Sequence, residues 1–161
     1  MAKLQRIAPC LWFDSNAEAA VKHYCSIFAP SKVLQVTHDG RGVHMPKGAV
    51  LVIAFELLGQ EFLALNGGPQ FRFTEAVSMV VRCADQAEID FYWEKLLADG
   101  GTPSQCGWLK DRFGLSWQVV PATLTDLLQD REPDRALRVL AAIEGMVKLD
   151  LAALQRAYDG R

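Results

Sequence analysis

Three histidines, four cysteines and a scatter of carboxylates are the side chains of this chain that could do acid–base, nucleophilic or metal chemistry. The cysteines, Cys10, Cys25, Cys83 and Cys106, include no CxxC pair. Neither a zinc site nor a dithiol redox motif is indicated, and they read as reduced thiols acting as small hydrophobes. Cys106 lies near Lys110 and Arg112, which would favour a reactive thiolate; the alternative is a buried, inert thiol. His23 falls on the polar side of a helical stretch and is expected in solvent. His38 and His44 bracket a glycine-rich loop from which they could serve a pocket as base or ligand. Glu56 sits in an apolar run, as a pocket carboxylate or a half-exposed strand residue. No Ser-His-Asp or Cys-His spacing stands out. One polar side chain is conspicuous: Gln118, near the end of the apolar stretch "CGWLKDRFGLSWQVVP" from Cys106 to Pro121. A buried amide must find partners, so Gln118 either orients a ligand or bonds within its own sheet. Trp12, Trp108 and Trp117 either wall an apolar pocket or fill a core, and strand alternation puts Trp117 and Gln118 on opposite faces.

The elements that must hold these residues occur twice. "IAPCLWFDSNAEAAVKHYCSIF" from Ile7 and "VSMVVRCADQAEIDFYWEKLLADGG" from Val77 each pass from an apolar strand into a helix, with Ala17-Glu18 aligned on Ala87-Glu88. Ser15 with Glu18, and Asp85 with Glu88, fit capping boxes. The first helix should bury Ala17, Ala20, Val21, Tyr24 and Phe28, and the second Ile89, Trp93, Leu96 and Leu97. Strand material follows each helix: Lys32–His38, Ala49–Gly59 and Gln60–Asn66 in the first half, Thr102–Lys110 and Leu115–Val120 in the second. A tight turn is expected at Gly59-Gln60, and the stretch from His38 to Gly48 reads as a loop able to act as a lid. Each half therefore reads β-α-β-β-β, spanning about 5–67 and 75–121, with a turn-rich linker over 67–74. Residues 122–161 form a helical tail. Ala136, Leu137, Leu140 and Ile143 make one apolar face there, to be buried on the chain's own sheet or on a partner subunit.

Composition narrows the functions. The chain has 161 residues, half of them apolar, enough for a full hydrophobic core. A net charge of −2 with no basic patch argues against nucleic acid as a partner. No apolar run reaches the length of a membrane span and the N-terminus has no signal-peptide core, so a cytoplasmic protein is expected, with homodimer formation hiding part of an apolar-rich surface.

The tandem modules resemble the vicinal oxygen chelate superfamily of glyoxalase I, bleomycin resistance proteins and extradiol dioxygenases. They are most similar to its PhnB-like branch, often labelled "3-demethylubiquinone-9 3-methyltransferase domain". The motifs are "LWFDSNAEAAVKHY" (Leu11–Tyr24), "FELLGQEFLALNGGPQFRFTEAVSMVV" (Phe55–Val81) and the stretch from Cys106 to Pro121. The resemblance implies an α+β fold in which each module curls into a half-open barrel. It also implies metal ligands at the ends of first and last strands. Here those positions fall on Pro9 or Cys10, Asn66, Ser78 and Gln118, a neutral set poorly suited to a divalent transition metal. The methyltransferase label finds no support, because no glycine-rich turn joins a strand to a helix. The expectation is a cavity without metal or other cofactor that holds a small apolar or aromatic molecule. Its expected lining is Gln118, Ser78, Asn66, Trp12, Trp108 and Cys106. Two alternatives are a metal-dependent lyase, isomerase or dioxygenase, in which His38 or His44 swings in with Glu56, and an interaction module with filled cavities.

Overall fold

The computed structural model describes residues 5–43 and 46–161. The chain divides into two compact units, Met1–Arg72 and Phe73–Arg161. The division falls inside the turn-rich 67–74 segment, and the helical tail belongs to the second unit.

In the first unit, β1 (Cys10–Phe13) leads into α1 (Ala17–Ile27), followed by β2 (Ser31–His38), β3 (Val50–Leu57) and β4 (Gln60–Asn66). The sheet order is β1-β4-β3-β2, with β1 parallel to β4 and the other pairs antiparallel. Alternation gives the sheet two unlike faces. Leu11, Phe13, Ile53, Phe55, Leu57, Phe62 and Ala64 are buried, as are Ala17, Ala20, Val21, Tyr24 and Ile27 of α1. The opposite face carries Cys10, Trp12, Val52, Ala54, Leu63 and Leu65.

The start of α1 differs from expectation. Ser15 does not cap it, and Asn16 at the N-cap makes no side-chain cap bond. The free Ala17 N–H instead donates to Oδ1 of Asn66, 2.9 Å away, at the end of β4. Asn66 Nδ2 in turn donates to Glu18 Oε2 at 2.8 Å and to the Val50 carbonyl at 3.0 Å. A sheet residue thus does the work of a local cap, which no local motif foretells. The second helix keeps its cap: Asp85 Oδ1 accepts from Glu88 N–H at 2.9 Å. Glu88 Oε2 reaches back to Ala84 N–H, one residue earlier than in a standard box.

The β3–β4 hairpin turns on Leu58-Gly59, one residue before the expected position. Both have positive φ, 52° and 83°, the requirement of a type I′ turn. The base of the His38–Gly48 loop is pinned by Asp39, which is buried and whose Oδ1 accepts the N–H groups of Arg41 and Gly42.

In the second unit, β5 (Ser78–Cys83) and α2 (Gln86–Leu97) precede β6 (Thr102–Pro103), β7 (Trp108–Lys110) and β8 (Ser116–Pro121), and the sheet order is β5-β8-β7-β6. The stretch Thr102–Lys110 is two short strands rather than one. Cys106 and Gly107, at φ 61° and 80°, turn the chain between them, and Gly107 has no room for a Cβ, which would lie 2.8 Å from the Val119 carbonyl oxygen. Leu109, Trp117, Val119, Val81 and Cys83 are buried on one face, and Ile89, Trp93 and Leu96 of α2 are buried with them.

The tail forms α3 (Leu124–Leu128), α4 (Pro133–Glu144) and α5 (Leu151–Asp159). Val139, Ile143, Leu149 and Leu154 pack with Val120 of β8 in one buried cluster, so the tail docks on its own unit. The expected α4 face is rotated by about one position. Val139 and Ile143 are buried, while Leu137 and Leu140 remain exposed.

Candidate functional site

Register decides which expected site residues can meet. In the first sheet Trp12 stands opposite Leu65, and Phe13 opposite Asn66, so Trp12 and Asn66 project from opposite faces. Asn66 is 1% exposed, and its amide is spent on α1 and Val50. Trp12 is engaged too. Its Nε1–H donates to the Gly68 carbonyl at 2.8 Å, its ring meets Phe71 edge-on at 4.9 Å, and it lies so close over Gly67 that a Cβ there would fall 2.3 Å from the indole. It clamps the chain leaving β4.

In the second sheet three of the expected residues do come together. Trp108 is paired with Gln118, Gln118 with Val80, and Ser78 with Ser116, all on the face away from α2. Gln118 Nε2 donates to Ser78 Oγ at 2.9 Å. Trp117 projects the other way and is buried, its Nε1–H bonded to Asp111 Oδ2 at 2.9 Å. Cys106 does not join this group. It packs against the tail cluster, and its N–H donates to the Met146 carbonyl at 2.7 Å.

The open face also holds side chains that sequence reasoning passed over. Strand pairing aligns Thr102 with Lys110, Lys110 with Ser116, and Ser116 with Ser78, a polar row across all four strands. A cavity of about 170 Å³ lies along it, lined by Glu75, Thr102, Pro103, Ser104, Trp108, Leu109, Lys110 and Ser116. Lys110 Nζ pairs with Glu75 Oε1 at 2.5 Å, and this bond, with one from Glu75's own backbone, holds its carboxyl below the ordinary carboxylate range. The signal was available: in "WLKDRFGLSWQ" Lys110 shares the parity of Trp108, and Ser116 that of Gln118.

The positions at which the resemblance implies metal ligands carry poor donors. Pro9 has no ligating side chain. Cys10 is exposed and projects from the face opposite to Asn66. Ser78 and Gln118 are neutral and bonded to each other. Such a set does not fit a divalent transition metal, which needs imidazole, carboxylate or thiolate. Among the described residues no three His, Cys, Asp or Glu side chains are placed to hold an ion. His38 does not meet Glu56. His38 is exposed at the far end of the sheet from Glu56, six positions along β3 and therefore roughly 20 Å away, and Glu56 pairs with Lys32 at 3.4 Å. His44 lies outside the described residues. His23, expected in solvent, is half-buried, with its ring 5.9 Å from that of Tyr24. Among the thiols, burial pushes Cys83 up to about 12, with Glu88 and Asp85 adding to the effect, so it is no nucleophile.

Comparison with known proteins bears on fold and family. The family model described as 3-demethylubiquinone-9 3-methyltransferase matches residues 5–120. The PhnB protein of Bacillus cereus is 32% identical, with a TM-score of 0.65 over 72% of this chain and 99% of that one. A Pseudomonas aeruginosa protein has a TM-score of 0.61 at 19% identity, covering 74% of this chain and 98% of its own. The fosfomycin resistance protein FosX of Listeria monocytogenes has a TM-score of 0.52 at 18% identity, covering 81% and 99%. The last two likenesses speak for fold alone. No curated protein matches. With an α+β fold of the glyoxalase/bleomycin-resistance type and a family match over most of its length, this chain belongs to the PhnB-like, 3-demethylubiquinone-9 3-methyltransferase family.

Proposed function

We propose that this chain binds a small apolar or aromatic molecule, without a metal or other cofactor, on the open face of its second sheet. One observation carries the reading. Gln118 is fixed by Ser78 at one end of its amide, while its Oε1 has no protein partner among the described residues and stands beside the half-buried Trp108 and the exposed Val80. An oriented polar group beside apolar walls is the usual make-up of a small-molecule site. The adjoining cavity of about 170 Å³ is close to the ~150 Å³ that admits a benzene ring.

The family's description names a methyl transfer, yet the turns that would cradle a nucleotide-type methyl donor lack glycine. They are Asp14-Ser15-Asn16 between β1 and α1, and Ala84-Asp85 between β5 and α2. The proposal therefore assigns binding and no reaction.

Titration with phenol, followed by tryptophan fluorescence and thermal shift, tests it. Saturable quenching with a raised Tm is expected, weakened about tenfold by Gln118→Leu if a single hydrogen bond of ~1.4 kcal/mol is lost. If a broad panel of aromatic probes leaves Tm unmoved, the interaction-module alternative takes over. Stoichiometric uptake of Ni²⁺, Zn²⁺, Mn²⁺ or Fe²⁺, lost in His44→Ala, would overturn the metal-free reading. Homodimer assembly in the cytoplasm belongs to the same proposal, supported by the exposure of Val33, Leu34 and Val36 on edge strand β2. Light scattering that returns a monomer mass would refute the dimer.

A further inference from the structure

Ser116 is the anomaly on the open face of the second sheet. It is 1% exposed, and its Oγ has no hydrogen-bond partner among the described residues. Buried hydroxyls nearly always have one. The same residue lines the cavity that Lys110 enters from the neighbouring strand, and the two are directly paired across β7 and β8. Lys110 and the residue with the unsatisfied hydroxyl therefore border the same small space. Its other walls include Trp108, Pro103 and Leu109, which suit an apolar body, and Thr102 and Ser104, which add hydroxyls. The group that meets the cation is itself informative. Glu75 comes from the segment just before β5, its side chain is 63% exposed, and its carboxylate is held by Lys110 Nζ.

We propose that this cavity is a carboxylate subsite: Lys110 and Ser116 take the carboxylate of a small aromatic or apolar monocarboxylic acid, and Glu75 occupies the cation until that acid displaces it. The inference rests on the preceding reading, that the open face binds a small molecule, and names its class. One ammonium balances one negative charge, so a monoanion fits. A cationic ligand would face Lys110. The ligand's second carboxylate oxygen gives the Ser116 hydroxyl the acceptor it lacks. Glu75 is replaceable because so exposed an ion pair contributes little. Its tether makes it a weak built-in competitor.

Calorimetric titration of the full chain with benzoate, and with benzyl alcohol as a neutral counterpart, tests the subsite. Benzoate should bind the wild-type protein and bind Glu75→Gln about two- to fivefold more tightly, the range set by an exposed ion pair. Lys110→Met should weaken benzoate by about tenfold or more, as loss of a charge-assisted hydrogen bond requires, and Lys110→Arg should restore much of it. Benzyl alcohol should be indifferent to the substitutions at 75 and 110. Lys110 is 40% exposed in its side chain, so these variants should fold; circular dichroism checks that, and Lys110→Gln substitutes for the Met variant if it does not. Benzoate that binds Glu75→Gln no tighter than wild type, or that ignores the charge at position 110, or that binds no form, overturns the proposal. Benzyl alcohol bound while benzoate proves blind to charge would keep the sheet-face reading and sink this one. Charge-dependent benzoate binding without any benzyl alcohol binding would keep the carboxylate subsite and sink the aromatic pocket.

Discussion

Asp111 accepts three hydrogen bonds on two oxygens: Phe113 N–H at 2.8 Å and Leu115 N–H at 3.1 Å on Oδ1, Trp117 Nε1–H at 2.9 Å on Oδ2. It is 3% exposed. A buried carboxylate is tolerated where donors replace water, and this one ties the β7–β8 turn to the second residue of β8. Removing it takes this acceptor from the buried Leu115 N–H and Trp117 Nε1–H and from the part-buried Phe113 N–H. Asp111→Ala should lower stability by about 2–4 kcal/mol in urea unfolding, and Asp111→Asn, which keeps one acceptor, by less. The effect should fall on folding and spare the open face, because Trp117 and Gln118 project from opposite sides of β8. A loss of ligand binding without loss of stability in Asp111→Ala would contradict that assignment.

The β3–β4 hairpin carries an apolar residue in a conformation that disfavours side chains. Leu58 has φ 52° and is half exposed, so it neither suits the left-handed region nor contributes to the core. Asn at this position of a type I′ turn is favoured over Leu. Leu58→Asn should therefore raise stability by about 0.5–1 kcal/mol, read as a higher urea midpoint with unchanged slope. Elements also show where the sequence could be read and where it could not. The two strand–helix repeats, the buried faces of α1 and α2 and the opposed faces of Trp117 and Gln118 follow from periodicity alone. The cap of α1 does not, since Asn66 lies about 50 residues from Ala17 and only the folded sheet brings them together. The break between β6 and β7 depends on positive φ at Cys106, a residue with no evident turn signal. The rotation of α4 is set by tertiary packing, which draws Val139 and Ile143 into the tail cluster and leaves Leu137 and Leu140 exposed. In the candidate site Gln118 stands out as a lone amide in an apolar run, Ser78 is reached only through the family resemblance, and Trp108 reads equally as pocket wall or core. Lys110, Ser116 and Glu75 were not singled out, because a strand lysine and serine look like ordinary solvated positions.

At the scale of the whole molecule, the tail is part of the second unit. Val120 of β8 shares its buried cluster with Val139, Ile143, Leu149 and Leu154, and the carbonyls of Met146 and Val147 accept from the N–H groups of Cys106 and Gly107. Gln86 at the start of α2 bonds both the Leu149 carbonyl and the Leu151 N–H, and Lys148 pairs with Asp90. Removing residues 122–161 would expose this apolar cluster and strip the Cys106-Gly107 turn of its acceptors. The shortened chain should be recovered insoluble or lose cooperative thermal unfolding of the second unit, visible by calorimetry. A soluble truncated form with an unchanged transition would show the tail to be dispensable. No helix among the described residues is long and apolar enough to cross a membrane.

The Asp111 hook has a broader meaning for how proteins of this kind are sorted. In the stretch from Cys106 to Pro121, Asp111 and Trp117 fasten a hairpin, while Trp108, Lys110, Ser116 and Gln118 lie on the other face of the strands. Under the proposed binding, the fastening falls on one side of these strands and ligand contact on the other. Two chains could share the fastening and carry unrelated molecules, and grouping them by the side chains at positions 78, 108, 110, 116 and 118 would separate what a shared label joins.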